Sequence, residues 1–387
     1  MTGFDRSRLE RLIRPIAVYH GKGNLFIGHQ KQGPECEFVL TQWPDAKIQL
    51  QCIMEGSPDA VEKSTNLQGK TRDGRFVRAS LYPFVCSSTW SSDGKCTCRF
   101  LVKTLAVEVP RLSPSINQLE FLLTNFKLPA NIVLQVNDRK ITIKRVMGYS
   151  EICDMLKEFN GIDVTSEAII ETCKLHETDE LEKLMDEVCL LLSLASGTTV
   201  QWICYKATTN DGDCVRMYHR SVVTKPYTSL RLIPSDSVKS FVEQTLQEFK
   251  RQNQKWKMGT AILLYLDAKS EQDYLELRGL KLASLAEFLK AQLKLKGNFK
   301  PALQSLCTYL GLASEQENLD RFVKNRDKLV HAARFRYVDA WQEYRFMMTF
   351  MGKILLAMLR YNGDYLDWTV EAEWESDMRK PLELEKE

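Results

Sequence analysis

The stretch RLIPSDSVKSFVEQTLQEFK, residues 231–250, marks the point at which the sequence changes from strand patterns to helix patterns. Before Pro234, short runs of alternating apolar and polar residues are separated by glycine, proline, aspartate and serine. After Pro234, apolar residues recur every three or four positions, which is the period of an amphipathic helix. The sequence therefore predicts an α+β fold with two domains, a β-rich region at 1–233 and an all-α region at 234–387.

The region before Pro234 is predicted to consist mainly of strands joined by polar turns. Two helices interrupt it, one over 149–158 and a longer one over 178–196, where Gly197 supplies the stop signal. The predicted strands span 47–54, 76–81, 100–109 and 118–123, with hairpins formed by 132–136 with 140–144 and by 200–205 with 214–219.

The region after Pro234 is predicted to form a helical bundle, because the loops between its helices are short. Ser314 and Glu317 form the pattern of a capping box. The stretch 338–358 is apolar nearly all round, which predicts burial either at the centre of the bundle or against a partner subunit. The tail after Val370 carries seven acidic and three basic residues and is predicted to be a solvated end. The predicted helices span 236–252, 256–268, 271–294, 299–310, 315–334 and 337–361.

Composition and charge exclude several classes of protein. The 387 residues are 44% hydrophobic and 27% charged, which is typical of a globular protein and not of a disordered or fibrous one. Fifty-three Lys and Arg against 50 Asp and Glu leave a net charge of only +3. No apolar run reaches the roughly 18 residues that span a bilayer, and the first residues are too charged for a signal peptide. Together with 11 scattered cysteines, this predicts a cytoplasmic protein with reduced thiols and no membrane association.

Two short motifs resemble a phosphate-binding loop and a zinc site, but each lacks residues that such a site requires. Gly69-Lys70-Thr71 would need a glycine at position 64 to be a phosphate-binding loop, and Ser64 stands there. Cys96 and Cys98 lack the paired spacing of a zinc site, and no histidine follows them at the spacing of a zinc finger. We therefore expect neither a metal nor a cofactor.

One motif survives, because Arg326 and His331 are separated by four residues inside a predicted helix. The similar spacing of Arg14 and His20 is excluded because Pro15 follows the arginine and would break a helix. At about 100° per residue, Arg326 falls at the centre of the apolar stripe, because six apolar residues lie within about 60° of it: Leu319, Phe322, Val323, Leu329, Val330 and Ala333. A guanidinium at such a position is costly unless it is paired.

The neighbours of this motif supply further charged groups. Asp327 and His331 are four residues apart, so the carboxylate is predicted to orient the imidazole. Lys324, Lys328, Arg334 and Arg336 add local positive charge that the overall balance conceals. A purely structural explanation stays open at this point, in which Arg326 pairs with a buried acid and His331 has no role.

The residues Arg326, Asp327 and His331 resemble the R-x4-6-H hallmark of the HEPN superfamily, whose members include all-α ribonucleases of defence and toxin systems. Leu329 and Val330 supply the apolar pair that usually precedes the histidine. The resemblance extends over roughly 235–365. It implies that Arg326, Asp327 and His331 are catalytic, that two copies of the motif meet in a homodimer, and that RNA is the substrate.

The order of the two regions resembles the ApeA-like branch of this superfamily, in which a long β-rich region precedes the bundle. The stretches 260–268 and 120–126 carry this similarity. Glu287 stands closest to the acidic motif that some families have on an earlier helix, and it is the expected third polar group. In this reading, Lys324, Lys328, Arg334 and Arg336 contact RNA.

The resemblance implies a metal-independent endoribonuclease that acts as an antiphage abortive-infection toxin, cutting tRNA or mRNA after a phage-derived trigger. An alternative is a catalytically silent HEPN module that binds nucleotide or scaffolds a partner. A third possibility makes the β-rich region the functional part, binding a phage or host component, with the bundle as a dimerisation module.

Overall fold

The computed structural model describes residues 14–384, except 28–30, 56–62, 111–115, 129, 137, 160, 172–176, 224, 227, 229, 313–315, 337 and 372–373. A strand-rich region precedes a helical region, which confirms the predicted α+β class. Ser314 of the predicted capping box and the charged first residues lie outside the described part of the chain.

Six antiparallel strands form a closed barrel. Their order is β3-β2-β1-β4-β5-β6, and pairing of β6 residues 95–102 with β3 closes it. The inward side chains form a separate apolar core, which includes Phe38, Leu50 and Phe100. Because the two outer strands pair with each other, neither presents a free edge along this stretch. The strands are Ala17–Ile27 (β1), Lys31–Gln42 (β2), Ile48–Glu55 (β3), Asn66–Thr71 (β4), Phe76–Trp90 (β5) and Lys95–Glu108 (β6).

The last residues of β6 lead into a second group of strands. Residues 104–108 of β6 pair with β12, and the order continues β12-β11-β7-β10-β9-β8. Helix α2 packs against β11 and is buried along most of its length. The elements are Gln118–Thr124 (β7), Ile132–Val136 (β8), Arg139–Arg145 (β9), Tyr149–Phe159 (α1), Val164–Glu171 (β10), Thr178–Ser196 (α2), Gln201–Thr208 (β11) and Cys214–Arg220 (β12).

The helical region begins after the short 3-10 turn Ser235–Ser237. Its last long helix, α8, packs against α4, α5 and α7, and nearly all of its residues from Glu343 onward are buried. Burial inside the chain therefore explains the apolar character of 343–358, whereas Val338 and Trp341 at the start of the predicted stretch are exposed. The helices are Val238–Trp256 (α3), Met258–Asp267 (α4), Leu275–Gln292 (α5), Phe299–Tyr309 (α6), Gln316–Ala332 (α7) and Ala340–Met358 (α8).

The apolar cores divide the chain at a different place from the predicted domain boundary. One continuous core joins Phe121 and Trp202 of the second strand group to Leu191 of α2 and Met351 of α8. The separate barrel core ends at Val107. The boundary at 233 and 234 separates two sequence patterns but not two cores, because α2 contacts both the strands and helices α3 and α4.

The tail after Val370 is not the solvated end that the sequence predicts. Asp364–Leu366 (β13) pairs with Arg379–Pro381 (β14) across the short helix Glu375–Met378 (α9), and Leu382 is buried. The tail is therefore packed against the bundle, because its few apolar residues reach the core. Among the described residues, no helix combines the length and apolar composition that a bilayer crossing requires. The ten described cysteines are free thiols.

A buried polar network joins the barrel to the second group of strands. His219 on β12 is 0% exposed, and its Nε2 lies 2.8 Å from the hydroxyl of Tyr19 on β1. Its Nδ1 bonds to the amide oxygen of Gln42, whose amide nitrogen donates to the carbonyl of Ile203 at 3.1 Å. An amide oxygen can only accept, so Nδ1 carries the proton and Nε2 accepts from Tyr19. Burial lowers the pKa of His219 to about 4.

This histidine predicts a loss of stability in mild acid. Below about pH 6.5 the unfolded imidazole takes up a proton, whereas the buried one stays neutral until about pH 4, so acid favours the unfolded chain. We expect the unfolding free energy to fall by about 3 kcal/mol over this interval. Urea unfolding of the wild type and of His219→Gln measures the effect, because glutamine does not titrate. A difference between the two proteins that stays constant with pH would contradict the prediction.

Candidate functional site

Helix α7 carries the motif and is oriented differently from the prediction. Its buried face consists of four residues, of which one is polar. At about 100° per residue, the centre of this face lies about 45° from Arg326, toward Asn325. The prediction that Arg326 lies at the centre of the stripe is therefore wrong. Three of the six predicted apolar neighbours are buried, whereas Val330 is 45% exposed and Ala333 is also exposed. The buried residues are Leu319, Phe322, Asn325 and Leu329.

Arg326 lies at the border of the buried face, with its side chain 21% exposed. Its Nη2 donates to Oε1 of Glu287 on α5 at 2.7 Å, and its Nη1 donates to Oδ1 of Asp327 at 2.9 Å. The guanidinium also lies over the ring of Phe299, 4.8 Å from the centroid. The structure thus brings Glu287, the expected third polar group, to the arginine. Burial lowers the pKa of Arg326, but the two carboxylates outweigh this and raise it above its usual value.

His331 occupies the last turn of α7 and is exposed to solvent. The prediction that Asp327 orients its imidazole is not met, because the carboxylate of Asp327 bonds to Arg326 instead. Among the described residues, no hydrogen-bond partner of the imidazole is found. His331 lies five positions after Arg326, which places the two residues about 140° apart around the helix and about 7.5 Å apart along it. They therefore face different directions within one chain.

The four basic residues expected to contact RNA lie along the second half of α7 and directly after it. Lys324, Arg334 and Arg336 are exposed, and Lys328 is half-buried. Arg334 and Arg336 lie on the connection to α8, which begins with Ala333 in a left-handed conformation. The structure thus leaves all four side chains at the surface on or beside the motif helix.

A buried polar cluster next to the motif was missed by the sequence analysis. Glu343 on α8 is 4% exposed and accepts two hydrogen bonds from Arg321, at 2.6 and 3.1 Å. It also accepts from the side-chain amide of Asn325, whose oxygen accepts the backbone N–H of Arg336 at 3.1 Å. The signal was a carboxylate inside a helix that the sequence predicts to be apolar nearly all round, since such a group requires a partner when it is buried. The cluster anchors the connection that carries Arg334 and Arg336.

Removing this carboxylate is expected to destabilise the bundle strongly. Glu343→Ala leaves Arg321 and the buried Asn325 amide without their acceptor, which should lower the unfolding free energy by about 3 kcal/mol. Glu317→Ala is the matched control, because Glu317 is an exposed carboxylate on α7, and it should change stability by less than about 0.5 kcal/mol. Urea denaturation of both variants measures the difference. Equal stability of the two variants would show that the cluster contributes nothing.

In the part of the chain that the structure describes, no group of three or more histidine, cysteine and acidic side chains is arranged to hold a metal ion. Gly69 and Lys70 lie within strand β4, so no phosphate-binding loop is formed there.

Comparison with known proteins yields one similarity. The family model of the YopA central domain matches residues 113–229, which comprise β7 to β12 with helices α1 and α2. The matched part ends before α3 and so does not include Arg326, His331 or Glu287. No curated protein and no solved structure is significantly similar to the chain.

Proposed function

We propose that this chain is a metal-independent endoribonuclease of the HEPN type, acting in the cytoplasm as an antiphage abortive-infection effector. The observation that carries the proposal is the combination on one helix of a positioned arginine, Arg326, and a solvent-accessible imidazole, His331. RNA contains its own nucleophile, so the protein needs only a proton-transfer group and a cation beside the phosphate.

In the proposed reaction, the 2′-oxygen of the substrate bonds to the adjacent phosphorus and the bond from phosphorus to the 5′-oxygen breaks. His331 makes one of the two proton transfers, either taking the proton of the 2′-hydroxyl or protonating the leaving 5′-oxygen, and solvent water makes the other. Arg326 binds the non-bridging phosphate oxygens, where negative charge increases in the transition state. The products are a 2′,3′-cyclic phosphate and a 5′-hydroxyl.

Glu287 and Asp327 hold Arg326 in place before RNA arrives. Both carboxylates are partly exposed, at 40% and 54%, so water can solvate them when a phosphate takes over the guanidinium. In this role Glu287 is a positioning residue, and Asp327 acts on the arginine and not on the histidine.

A second candidate is a catalytically silent module that binds nucleotide or scaffolds a partner. The specific observation in its favour is that two carboxylates already pair with Arg326, as in an ordinary structural ion pair. Incubating the purified protein with total RNA and sequencing the new ends separates the two. The ribonuclease should generate discrete ends that His331→Ala does not, whereas the scaffold should leave RNA intact.

The active form is proposed to be a homodimer. Exposed apolar side chains cluster at the end of the bundle beside His331, where the starts of α5 and α8 meet the end of α7. The meeting of these ends is seen in the guanidinium of Arg278, 5.8 Å from the ring of Trp341, and in the close approach of Gly279 to Leu329. Such a patch is typical of an interface. The exposed residues are Tyr274, Leu277, Val330, Val338 and Trp341.

Pairing two copies would also bring an arginine of one chain to the histidine of the other, which face apart within a single chain. We therefore expect a mixture of inactive Arg326→Ala and inactive His331→Ala proteins to regain part of the wild-type activity, because mixed dimers retain one intact composite site. Cleavage assays after mixing and re-equilibration measure this. Full activity of a monomer at high dilution would contradict the composite site.

A further inference from the structure

A second candidate site lies on the barrel and not at the motif helix. It is a groove of about 1070 Å³ on the outward faces of the barrel strands. Glycines at Gly21, Gly23 and Gly69 allow β1 and β4 to approach very closely, since a Cβ at these positions would collide with backbone of the opposite strand. Glycine inside a strand often marks such a close approach or a sharp bend.

The middle of the groove is a row of side chains that face one another across the strands. Lys22 on β1 lies between Glu37 on β2 and Lys70 on β4, and Lys70 lies opposite Phe76 on β5. Lys22 pairs with Glu37 at 3.0 Å. Like charges directly opposite each other across two strands destabilise a sheet, so the pairing of Lys22 with Lys70 requires a reason. A bound anion would relieve this repulsion.

Two cationic side chains of the groove are not ion-paired with a carboxylate among the described residues. Lys70 and Arg72 are exposed and form no ion pair among the described residues, whereas Arg78 pairs with Glu108 at 2.6 Å. The ammonium of Lys70 lies over the ring of Phe76, 5.0 Å from its centroid, and Phe76 is 43% exposed. Free cations beside an exposed ring are the combination with which proteins bind single-stranded nucleic acid, the cations to phosphate and the ring to a base.

We propose that this groove binds a single-stranded RNA segment, with phosphates on Lys70 and Arg72 and a base stacked on Phe76. The ring face that Lys70 covers becomes available when its ammonium turns to a phosphate. The amides of Asn24 and Gln68, which also line the groove, can hydrogen-bond to base edges. The groove would hold a substrate on the barrel, apart from the site of cleavage, and the choice of RNA over DNA rests on the proposed ribonuclease function.

The test is the binding of a fluorescein-labelled oligouridine of about ten nucleotides, followed by anisotropy. All proteins carry His331→Ala, so that binding is measured without cleavage. We expect Lys70→Glu with Arg72→Glu to weaken binding by at least tenfold and to reduce the slope of log affinity against log salt by about 1.4, as expected for the loss of two phosphate contacts. Phe76→Ala should weaken binding by roughly tenfold with an unchanged slope.

The control is Lys103→Glu. Lys103 also lies over an aromatic ring, that of Tyr82 at 5.3 Å, and it is exposed on the same barrel but does not line the groove. The Lys103→Glu protein should bind the oligouridine as tightly as the parent protein. Lys70→Glu places a carboxylate opposite Lys22, so its melting temperature should not fall, and lost binding then cannot be attributed to unfolding.

Two results would overturn the groove proposal. One is a loss of binding that is no greater in the groove variants than in Lys103→Glu, whether all of these proteins lose binding or none does. The other is competition by polyglutamate as strong as that by unlabelled oligouridine, which would identify the groove as a site for an acidic protein. Neither result depends on cleavage, so the ribonuclease proposal can fail while the groove proposal holds, and the reverse.

Discussion

Replacing His331 with alanine is expected to reduce RNA cleavage by a factor of about 10²–10⁴, the usual contribution of a general acid or base. The imidazole is exposed and makes no contact that the fold needs, so the variant should unfold at the same urea concentration as the wild type. Initial rates on a defined RNA, measured beside urea unfolding, test both parts. Unreduced cleavage by the folded variant would remove His331 from the mechanism and favour the scaffold alternative.

Substitutions of Arg326 are expected to reduce cleavage by different factors, depending on whether the positive charge is kept. Arg326→Ala should lower cleavage by about 10²–10³, the cost of losing one preorganised donor to the transition state. Arg326→Lys keeps the charge but loses the planar fork that binds two phosphate oxygens, and it should recover only part of the activity. The stability of the Arg326→Lys protein should change little, because the ion pairs to Glu287 and Asp327 are partly exposed. Full activity in Arg326→Lys would show that only charge matters.

The helices could be predicted from the sequence because their apolar period depends on residues within one element. The helix predicted at 178–196 coincides with Thr178–Ser196, and the one predicted at 315–334 contains Gln316–Ala332. Strands were predicted less completely. Strand β4, with the sequence NLQGKT, has only one large apolar residue, and its place in the barrel depends on β1 and β5 on either side.

The contact between Arg326 and Glu287 could not be derived from either helix alone. It depends on how α5 and α7 dock, and that docking depends on the buried pairing of Asn325 with Glu343, which turns α7 away from the orientation that apolar periodicity predicts. Asn325 is therefore buried and Val330 is exposed. Burying an amide that is hydrogen-bonded to a carboxylate costs little free energy, and exposing one valine side chain forfeits only a modest apolar area. Periodicity counts apolar residues and does not include such pairs.

Removing the proposed nucleophile, the 2′-hydroxyl of the RNA, is expected to have the second large effect on cleavage. If the 2′-hydroxyl attacks the phosphorus, an oligonucleotide with a single 2′-deoxy sugar at the cleaved position has no nucleophile, and cleavage there should become undetectable. A 2′-deoxy sugar one position away is the matched control and should be cut at nearly the wild-type rate. The new ends should carry a 2′,3′-cyclic phosphate or 3′-phosphate and a 5′-hydroxyl, and EDTA should not inhibit.

The same substrate pair distinguishes the proposed chemistry from the main alternative. An enzyme that activates water with a bound metal ion attacks the phosphorus from outside the sugar, so it would cut both oligonucleotides and would stop in EDTA. Cleavage of the deoxy-substituted position would therefore exclude the 2′-hydroxyl mechanism, whatever the His331 variant does. Resistance at that position, combined with activity in EDTA, requires a nucleophile within the RNA and leaves proton transfer and charge stabilisation as the tasks of the protein, for which His331 and Arg326 have the appropriate chemistry.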